Sequence, residues 1–327
     1  AVGLADALRP EREIAAAAAW HHEPAQRRPG PPVAPCPPLA ARPRRLSVTQ
    51  IETWIRDPYA IYARHILGLK ALDDLDADPG RADLGIAVHE ALAEFVRRHP
   101  RALPPAAEAE LIDIGRAAFG AILSRPGVWA FWWPRFVRVA RWFIAEEEER
   151  RAAIVESGSE LKGTLVVPGR AGPFTIAAVA DRIDRLASGE LVLVDYKTGA
   201  LPQKREVDNA VVVQLPLEGA IARDGSFTAE NGPAISGAVA ALEYWRLPGG
   251  EPAGKRHPIG DDSPDALIDG ALTRVAALID SFDDPATPYL PVPDPRWRPR
   301  YSDYFHLERL DEAEIEPEPE GEPGGEL

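Results

Sequence analysis

The sequence of 327 residues contains no methionine, a single cysteine and no long uninterrupted apolar segment. Because position 1 is not methionine, the chain is expected to be a piece of a longer protein. Cys36 alone can build neither a disulfide framework nor an all-cysteine metal site. No apolar run approaches the length that spans a bilayer and no signal-peptide pattern is present, so a cytoplasmic location is expected.

Basic residues are also in short supply. Lys and Arg total 37 against 51 Asp and Glu, which gives a formal net charge of −14 at pH 7. The last 17 residues contain eight acidic residues and no basic one, which leaves −6 for the rest. Binding to a polyanion is driven by neutralisation of its phosphates, so this balance argues against a generally basic nucleic-acid coat. If the chain binds nucleic acid, a partner is therefore expected to contribute to the binding.

Composition divides the chain into four predicted parts. Residues 1–22 would end a preceding domain, and residues 23–45, rich in Pro and Arg, would form an extended linker because Pro cannot donate to helix or sheet ladders. One folded domain is predicted over 46–310. The acidic segment 311–327 is expected to be disordered. No internal repeat and no Gly-rich phosphate loop occurs, so Walker-type ATP binding is not expected within this chain.

Local patterns predict the elements of the folded domain. Ser47 and Gln50 form a capping-box pattern at the start of one helix, and Gly85 is expected to open the next. The predicted strands are 161–167, 174–183, 190–197 and 236–247. The other predicted helical segments are 104–151, 206–223 and 264–282. The aromatic and arginine-rich part of 104–151 suits either a base-stacking surface or a core helix, and the core helix is favoured.

The most informative stretch is 174–199, FTIAAVADRIDRLASGELVLVDYKTG. It predicts two short apolar strands joined by a turn at 187–189, with charged side chains at their far ends. Residues two apart on a strand project from one face, so Asp195 and Lys197 point together while Tyr196 points away. Charges at the end of an apolar run are costly unless they face a cleft, a metal or each other.

This stretch, with the histidine of GIAVHE and the glutamine of QLPLE, resembles the active-site signature of the PD-(D/E)xK nucleases. The similarity is to the branch that includes the RecB nuclease domain and the AddB subunit of the AddAB helicase–nuclease, and it covers roughly residues 46–310. It implies an α/β, restriction-endonuclease-like fold with a mixed central sheet flanked by helices. It also implies a DNA exonuclease that depends on Mg²⁺, with Mn²⁺ as an alternative.

The resemblance implies a metal site made of an imidazole, two carboxylates and a backbone carbonyl: His89, Asp184, Asp195 and Tyr196. A lone histidine on a helix is more often structural than a ligand, so His89 depends on this resemblance. Asp181 and Asp184 cannot both be assumed to be ligands. Asp184 matches the acid of G-x-I-D and is assigned to the metal, whereas Asp181 is treated as a strand-edge or second-shell acid.

Two further residues have roles by resemblance. Lys197 would orient or deprotonate the attacking water and offset charge in the transition state. Gln214 would touch the substrate or order the catalytic groups, although a Gln in a helix is by default a polar surface residue. The tyrosine that usually follows four residues after this glutamine is Glu218 here.

The resemblance also concerns cofactors and partners. Many AddB-type relatives hold an iron–sulfur cluster with four cysteines, one of which directly precedes the proline where this chain has Asp57. All four are absent, so no such cluster is expected. The implied partners are DNA and an AddA-like helicase–nuclease subunit, with no membrane. The implied role is double-strand-break repair and recombination in the cytoplasm, at the nucleoid.

Two other interpretations stay open. A nuclease-like fold can serve as an inactive DNA-binding or scaffolding module when its ligands are lost, but here the acids and Lys197 are present. Alternatively, DYKTG is a chance strand end in an unrelated binding domain. That alternative predicts that His89 and Asp184 lie far from Asp195.

Overall fold

The computed structural model describes residues 33–72, 79–229, 233–260 and 263–310. Predictions for 1–22, for 23–32 and for 311–327 lie outside the described residues, so the predicted domain limits stay predictions. Residues 34–303 form one compact unit. The described residues 304–310 belong to a second unit and contain one short helix.

The structure has the following helices and strands. The helices are α1 (Val48–Arg56), α2 (Pro58–Ile61), α3 (Arg81–Arg98), α4 (Ala107–Phe119), α5 (Trp133–Arg150), α6 (Lys204–Asp208), α7 (Gln214–Asp224), α8 (Pro264–Phe282) and α9 (Phe305–Glu308). The strands are β1 (Arg45–Ser47), β2 (Ile154–Val167), β3 (Phe174–Leu186), β4 (Leu191–Lys197), β5 (Ser226–Thr228), β6 (Ala234–Ile235), β7 (Val239–Arg246) and β8 (Lys255–Ile259).

The strands form one mixed sheet. Their order is β6-β5-β2-β3-β4-β7-β8, and β1 pairs with β3. β3 is antiparallel to both β2 and β4, whereas β4 and β7 are parallel. Helices pack on the sheet through two buried clusters. The predicted α/β fold with a mixed central sheet flanked by helices is therefore confirmed.

The two clusters contain different helices. The first includes residues of α7 and α8, such as Leu217 and Ile268, packed against Leu193 of β4. The second includes residues of α3 and α5, such as Phe95 and Phe143. Phe143 is fully buried, so the expectation that the aromatic segment forms core is confirmed for this part of α5. None of the described helices combines the length and hydropathy required to cross a bilayer.

Several predicted helix boundaries can be compared with the structure. Gln50 donates its backbone N–H to Ser47 Oγ and accepts from the Ser47 N–H, so the capping box is confirmed. The predicted helix 264–282 is also confirmed. α3 begins before Gly85, because Asp83 accepts a hydrogen bond from the Gly80 N–H and stabilises an earlier first turn. The predicted helical region 104–151 is divided, and α4 ends at Gly120, whose φ is +47°.

The predicted helix 206–223 is wrong, because the structure has α6 and α7 with a break between them. A continuous helix would place Pro216 in its interior, where the missing N–H removes a hydrogen bond and the ring clashes with the preceding turn. In the structure Pro216 lies in the first turn of α7, where an N–H has no intrahelical partner. The break thus lets Gln214 begin a helix at the edge of the sheet.

The start of α7 is capped by a residue distant in sequence. Glu52 of α1 accepts the backbone N–H groups of Val213 and Gln214 at its Oε1, at 2.8 and 2.7 Å. The first N–H groups of a helix have no partner within the helix, so this carboxylate satisfies donors that would otherwise be orphaned. Glu52 therefore fixes the position of Gln214.

Replacing Glu52 by Ala is expected to lower the free energy of unfolding by about 1–2 kcal/mol, the typical cost of a lost helix cap. Glu52→Gln keeps an acceptor oxygen at the same place and should cost less. Urea denaturation of both variants measures the difference. Equal losses in the two variants would contradict a capping role.

Candidate active site

Three of the predicted site residues form one hydrogen-bonded cluster. Asp195 and Lys197 project together at the end of β4, and Lys197 Nζ lies 2.7 Å from Asp195 Oδ2 and 3.0 Å from Oδ1. Gln214, at the start of α7, donates from Nε2 to Asp195 Oδ1 at 2.7 Å. Its Oε1 accepts from Lys197 Nζ at 3.4 Å. Strand β4 and helix α7 thus hold a carboxylate, an ammonium and an amide together.

His89 approaches this cluster from α3. Its Nδ1 lies 3.4 Å from Asp181 Oδ2, and its ring packs edge-on against the Tyr196 ring, with centroids 5.8 Å apart. The same Asp181 oxygen accepts the backbone N–H of Tyr196 at 2.8 Å, which fixes this carboxylate beside β4. Arg182 pairs with Val194 in the antiparallel register of β3 and β4, and extending that register by one residue places Asp181 across from Asp195. One imidazole and two carboxylates therefore meet where α3, β3 and β4 come together.

Asp184, the predicted metal ligand, lies in a different environment from Asp195, Lys197 and Gln214. It is fully buried, and Arg182 Nε donates to its Oδ1 at 2.6 Å while Arg150 Nη2 lies 3.0 Å from its Oδ2. Burial raises the pKa of Asp184, but the two arginines outweigh burial and the net shift is downward. Residues three apart on a strand face opposite sides, so only one of the two acids can face Asp195. That acid is Asp181.

The backbone around Glu160 explains why the alternation of side chains along the strands did not identify Asp181 as the acid that faces Asp195. The Ser159 hydroxyl donates to the Ala93 carbonyl of α3, whereas Leu161, two residues later, packs in the cluster with α7. Glu160 lies between them with φ +52°, in the left-handed region that residues other than glycine rarely adopt. The register of β2 with β3 places Glu160 opposite Asp181. The side chains of β2 therefore change from one face of the sheet to the other at Glu160, which lies next to Asp181.

The cluster is electrostatically coupled. Burial raises the pKa of Asp195 to about 6, opposed by Lys197 and reinforced by Asp181. Burial lowers the pKa of Lys197, but Asp195 outweighs burial and the net shift is upward. Burial also lowers the pKa of His89, but Asp181 and Asp195 outweigh burial and the net shift is upward. The carboxylates thus favour the cationic forms of both the lysine and the histidine.

Glu218 is a further member of the cluster. It lies one turn after Gln214 on α7, is buried, and accepts from Gln214 Nε2 at 3.2 Å. Burial raises its pKa, and the charges of Asp195 and Asp181 add to the rise. The sequence offered one signal for it, because an acid stands where relatives have tyrosine. No local signal pointed to Glu52.

The donors suit a hard divalent cation. Carboxylate oxygens are the preferred ligands of Mg²⁺ and Mn²⁺, and imidazole can join them. The Oδ2 atom of Asp195 is buried, and the Lys197 ammonium lies 2.7 Å from it. Among the described residues, no group of three or more His, Cys, Asp or Glu side chains is arranged to hold a metal ion. A cation would therefore compete with Lys197 for Asp195, and the Tyr196 carbonyl stays a predicted ligand.

Comparison with known proteins adds three findings. The model of the PD-(D/E)XK nuclease superfamily matches residues 45–299. An uncharacterized protein of Rickettsia felis is 32% identical over 202 residues, covering 60% of this chain and 24% of that protein. The uncharacterized protein RC0550 of Rickettsia conorii is 31% identical over 190 residues, covering 57% of this chain and 23% of that protein. This chain thus spans about a quarter of the length of these relatives.

One solved structure is also similar. The crystal structure of SSO0001 aligns with 72% of this chain and 77% of that chain, at 9% sequence identity and a TM-score of 0.29.

Proposed function

The chain belongs to the PD-(D/E)XK nuclease superfamily, and from this membership and the geometry of the site we propose that it is a Mg²⁺-dependent DNA exonuclease. The observation that supports the proposal most directly is the meeting of His89, Asp181 and Asp195 beside Lys197. Two carboxylates, an imidazole and an amine close together are groups that suit metal-assisted hydrolysis of a phosphodiester.

His89, Asp181, Asp195 and the carbonyl of Tyr196 would hold the cation. When bound, the cation polarises a phosphate oxygen and lowers the pKa of a coordinated water. The chain itself supplies a second positive charge, because the raised pKa of Lys197 favours its ammonium form. Placed beside the reacting phosphate, this ammonium orients the attacking water and offsets the negative charge of the transition state.

Gln214 acts by positioning its neighbours. Its amide nitrogen holds Asp195, and its amide oxygen accepts from Lys197. Glu52 accepts the backbone N–H of Gln214, and Glu218 accepts a hydrogen bond from its side-chain amide nitrogen. The backbone and the side chain of Gln214 are therefore both held in place. The carboxylate and the ammonium are therefore kept in a fixed relation before substrate arrives.

The proposal extends to the setting of the reaction. The ordered set of His, Asp, Asp-x-Lys and Gln resembles that of AddB-type domains, so the domain would act on a DNA strand delivered by a helicase. An AddA-like helicase–nuclease subunit would be its partner in double-strand-break repair and recombination. The match to only a quarter of much longer relatives is consistent with a domain that works inside a larger protein.

Metal removal tests the activity. The purified chain is expected to shorten end-labelled single-stranded or double-stranded DNA in the presence of Mg²⁺, to stop when EDTA is added, and to resume when Mg²⁺ or Mn²⁺ is restored in excess. An exonuclease should leave circular single-stranded DNA intact. Cleavage that continues in EDTA would contradict the metal dependence, and cleavage of the circle would contradict the exonuclease assignment. A fold that binds DNA but never cleaves it would support the inactive module instead.

A further inference from the structure

An exposed strip of side chains leads away from the active site along β2 and β3. Lys162 and Arg45 are both exposed on it. In the strand registers Lys162 lies opposite Val179, two residues from Asp181, and Arg45 lies opposite Thr175, six residues from Asp181. At about 3.3 Å per residue of strand, the two cations stand about 7 and about 20 Å along the strip from that acid.

Depressions along the strip adjoin two residues of the site, His89 and Gln214. Arg45 and Lys162 line a depression of about 520 Å³ that Gln214 also lines. Lys162 and Glu160 line a neighbouring depression of about 1040 Å³. Glu160 in turn lines a third depression together with His89. The three depressions share lining residues and therefore lie next to one another between His89 and Arg45.

The two cations are free to bind an anion. Neither Lys162 nor Arg45 forms an ion pair with a described residue, whereas the nearby Arg44 and Arg56 are paired with Asp283 and Glu206. The depression that contains the two cations is also lined by hydroxyl side chains, namely Ser47, Thr49, Thr164, Ser226 and Thr228. Hydroxyl and cationic side chains are the usual partners of nucleic-acid phosphates.

We propose that Lys162 and Arg45 form a phosphate track that holds the substrate strand of DNA beyond the cleavage position. This inference rests on the proposed nuclease function of the adjoining site. The occupant is a single DNA strand, because the depression with the two cations adjoins Gln214 of the site, has no acidic side chain among the described residues that line it and can follow one phosphate backbone. A local track also reconciles nucleic-acid binding with a chain whose formal net charge is −14.

Binding of fluorescein-labelled dT20 in EDTA, followed by anisotropy, tests the track without cleavage. Lys162→Ala and Arg45→Ala are each expected to weaken binding roughly threefold to fivefold, the effect of one exposed charge contact. The double variant should also reduce the slope of log affinity against log salt by about 1.4, because each phosphate contact on a single strand contributes about 0.7. A dT2 probe has a single phosphodiester and is too short to reach from the site to Arg45, so Arg45→Ala should not weaken its binding.

Lys255→Ala is the matched control, because Lys255 is an exposed strand lysine on β8, an edge strand that β3, β4 and β7 separate from β2. It should bind dT20 as the wild type does. The proposed phosphate track is contradicted if the double variant keeps the wild-type affinity and salt slope. It is also contradicted if Lys255→Ala loses as much dT20 affinity as the double variant. Thermal unfolding of each variant verifies that the fold is intact.

Cleavage rates on two substrates distinguish a failure of the phosphate track from a failure of the proposed nuclease function. In the double variant, kcat/KM for dT20 should fall about tenfold more than kcat/KM for bis(4-nitrophenyl) phosphate, which carries one phosphodiester and does not extend to Arg45. Equal losses on the two substrates would overturn the track. A wild-type protein that hydrolyses neither substrate would instead overturn the nuclease function, while the dT20 binding data would still decide the track.

Discussion

Replacing Asp181 by Asn should reduce the rate of DNA cleavage by about a thousandfold or more. Asn keeps the size of the side chain and an oxygen that can accept the Tyr196 N–H, but it removes the negative charge that would hold the cation. A catalytic cation contributes several kcal/mol to transition-state stabilisation, and about 4 kcal/mol corresponds to a factor of about 10³ in rate. Asp195→Asn should have a similar effect. Initial rates on end-labelled single-stranded DNA at saturating Mg²⁺ measure both.

Asp184→Asn is the matched comparison, because it makes the same chemical change three residues further along β3. Its side chain contacts Arg182 and Arg150 rather than the site, so the folded protein should retain most of its cleavage rate. Rates are compared well below the unfolding temperature of each variant. If Asp184→Asn abolishes cleavage while Asp181→Asn does not, the proposed ligand is wrong and Asp184 takes its place.

Arg182→Ala is expected to lower the free energy of unfolding by about 3–5 kcal/mol, the typical cost of breaking a buried ion pair. The Arg182 side chain is fully buried and donates to both oxygens of Glu147, at 2.6 and 3.1 Å, and to Asp184 at 2.6 Å. Its guanidinium also lies 5.5 Å from the Trp245 ring. Without it, two carboxylates would remain buried with one fewer partner. Urea denaturation measures the loss.

Arg223→Ala is the control for this second prediction. Arg223 forms ion pairs with Asp224, Asp265 and Asp269, but these carboxylates are largely exposed. Exposed pairs typically contribute less than about 1 kcal/mol, since water screens them. A loss in Arg223→Ala as large as that in Arg182→Ala would show that burial does not set the difference.

Local sequence patterns predicted much of the central hairpin. The strands expected at 174–183 and 190–197 are β3 and β4, and the turn at 187–189 contains Gly189 with φ +91°, a conformation that glycine adopts without strain. β2, in contrast, begins seven residues before the predicted 161, because its first half is held by pairing with β3 around Asp184 rather than by an apolar alternation of its own.

The sequence by itself determined which residue types could meet in the site. Asp195 and Lys197 project together because they are two apart on a strand, and Pro216 marked where a helix has to begin or break. Tertiary structure decided which acid joins them. Alternation places Asp181 and Asp184 on opposite faces of β3, but it does not say which of them shares a face with Asp195, and the pairing of β3 with β4 decides that. Two buried arginines then hold Asp184 on the other face, through contacts between segments that no local spacing encodes.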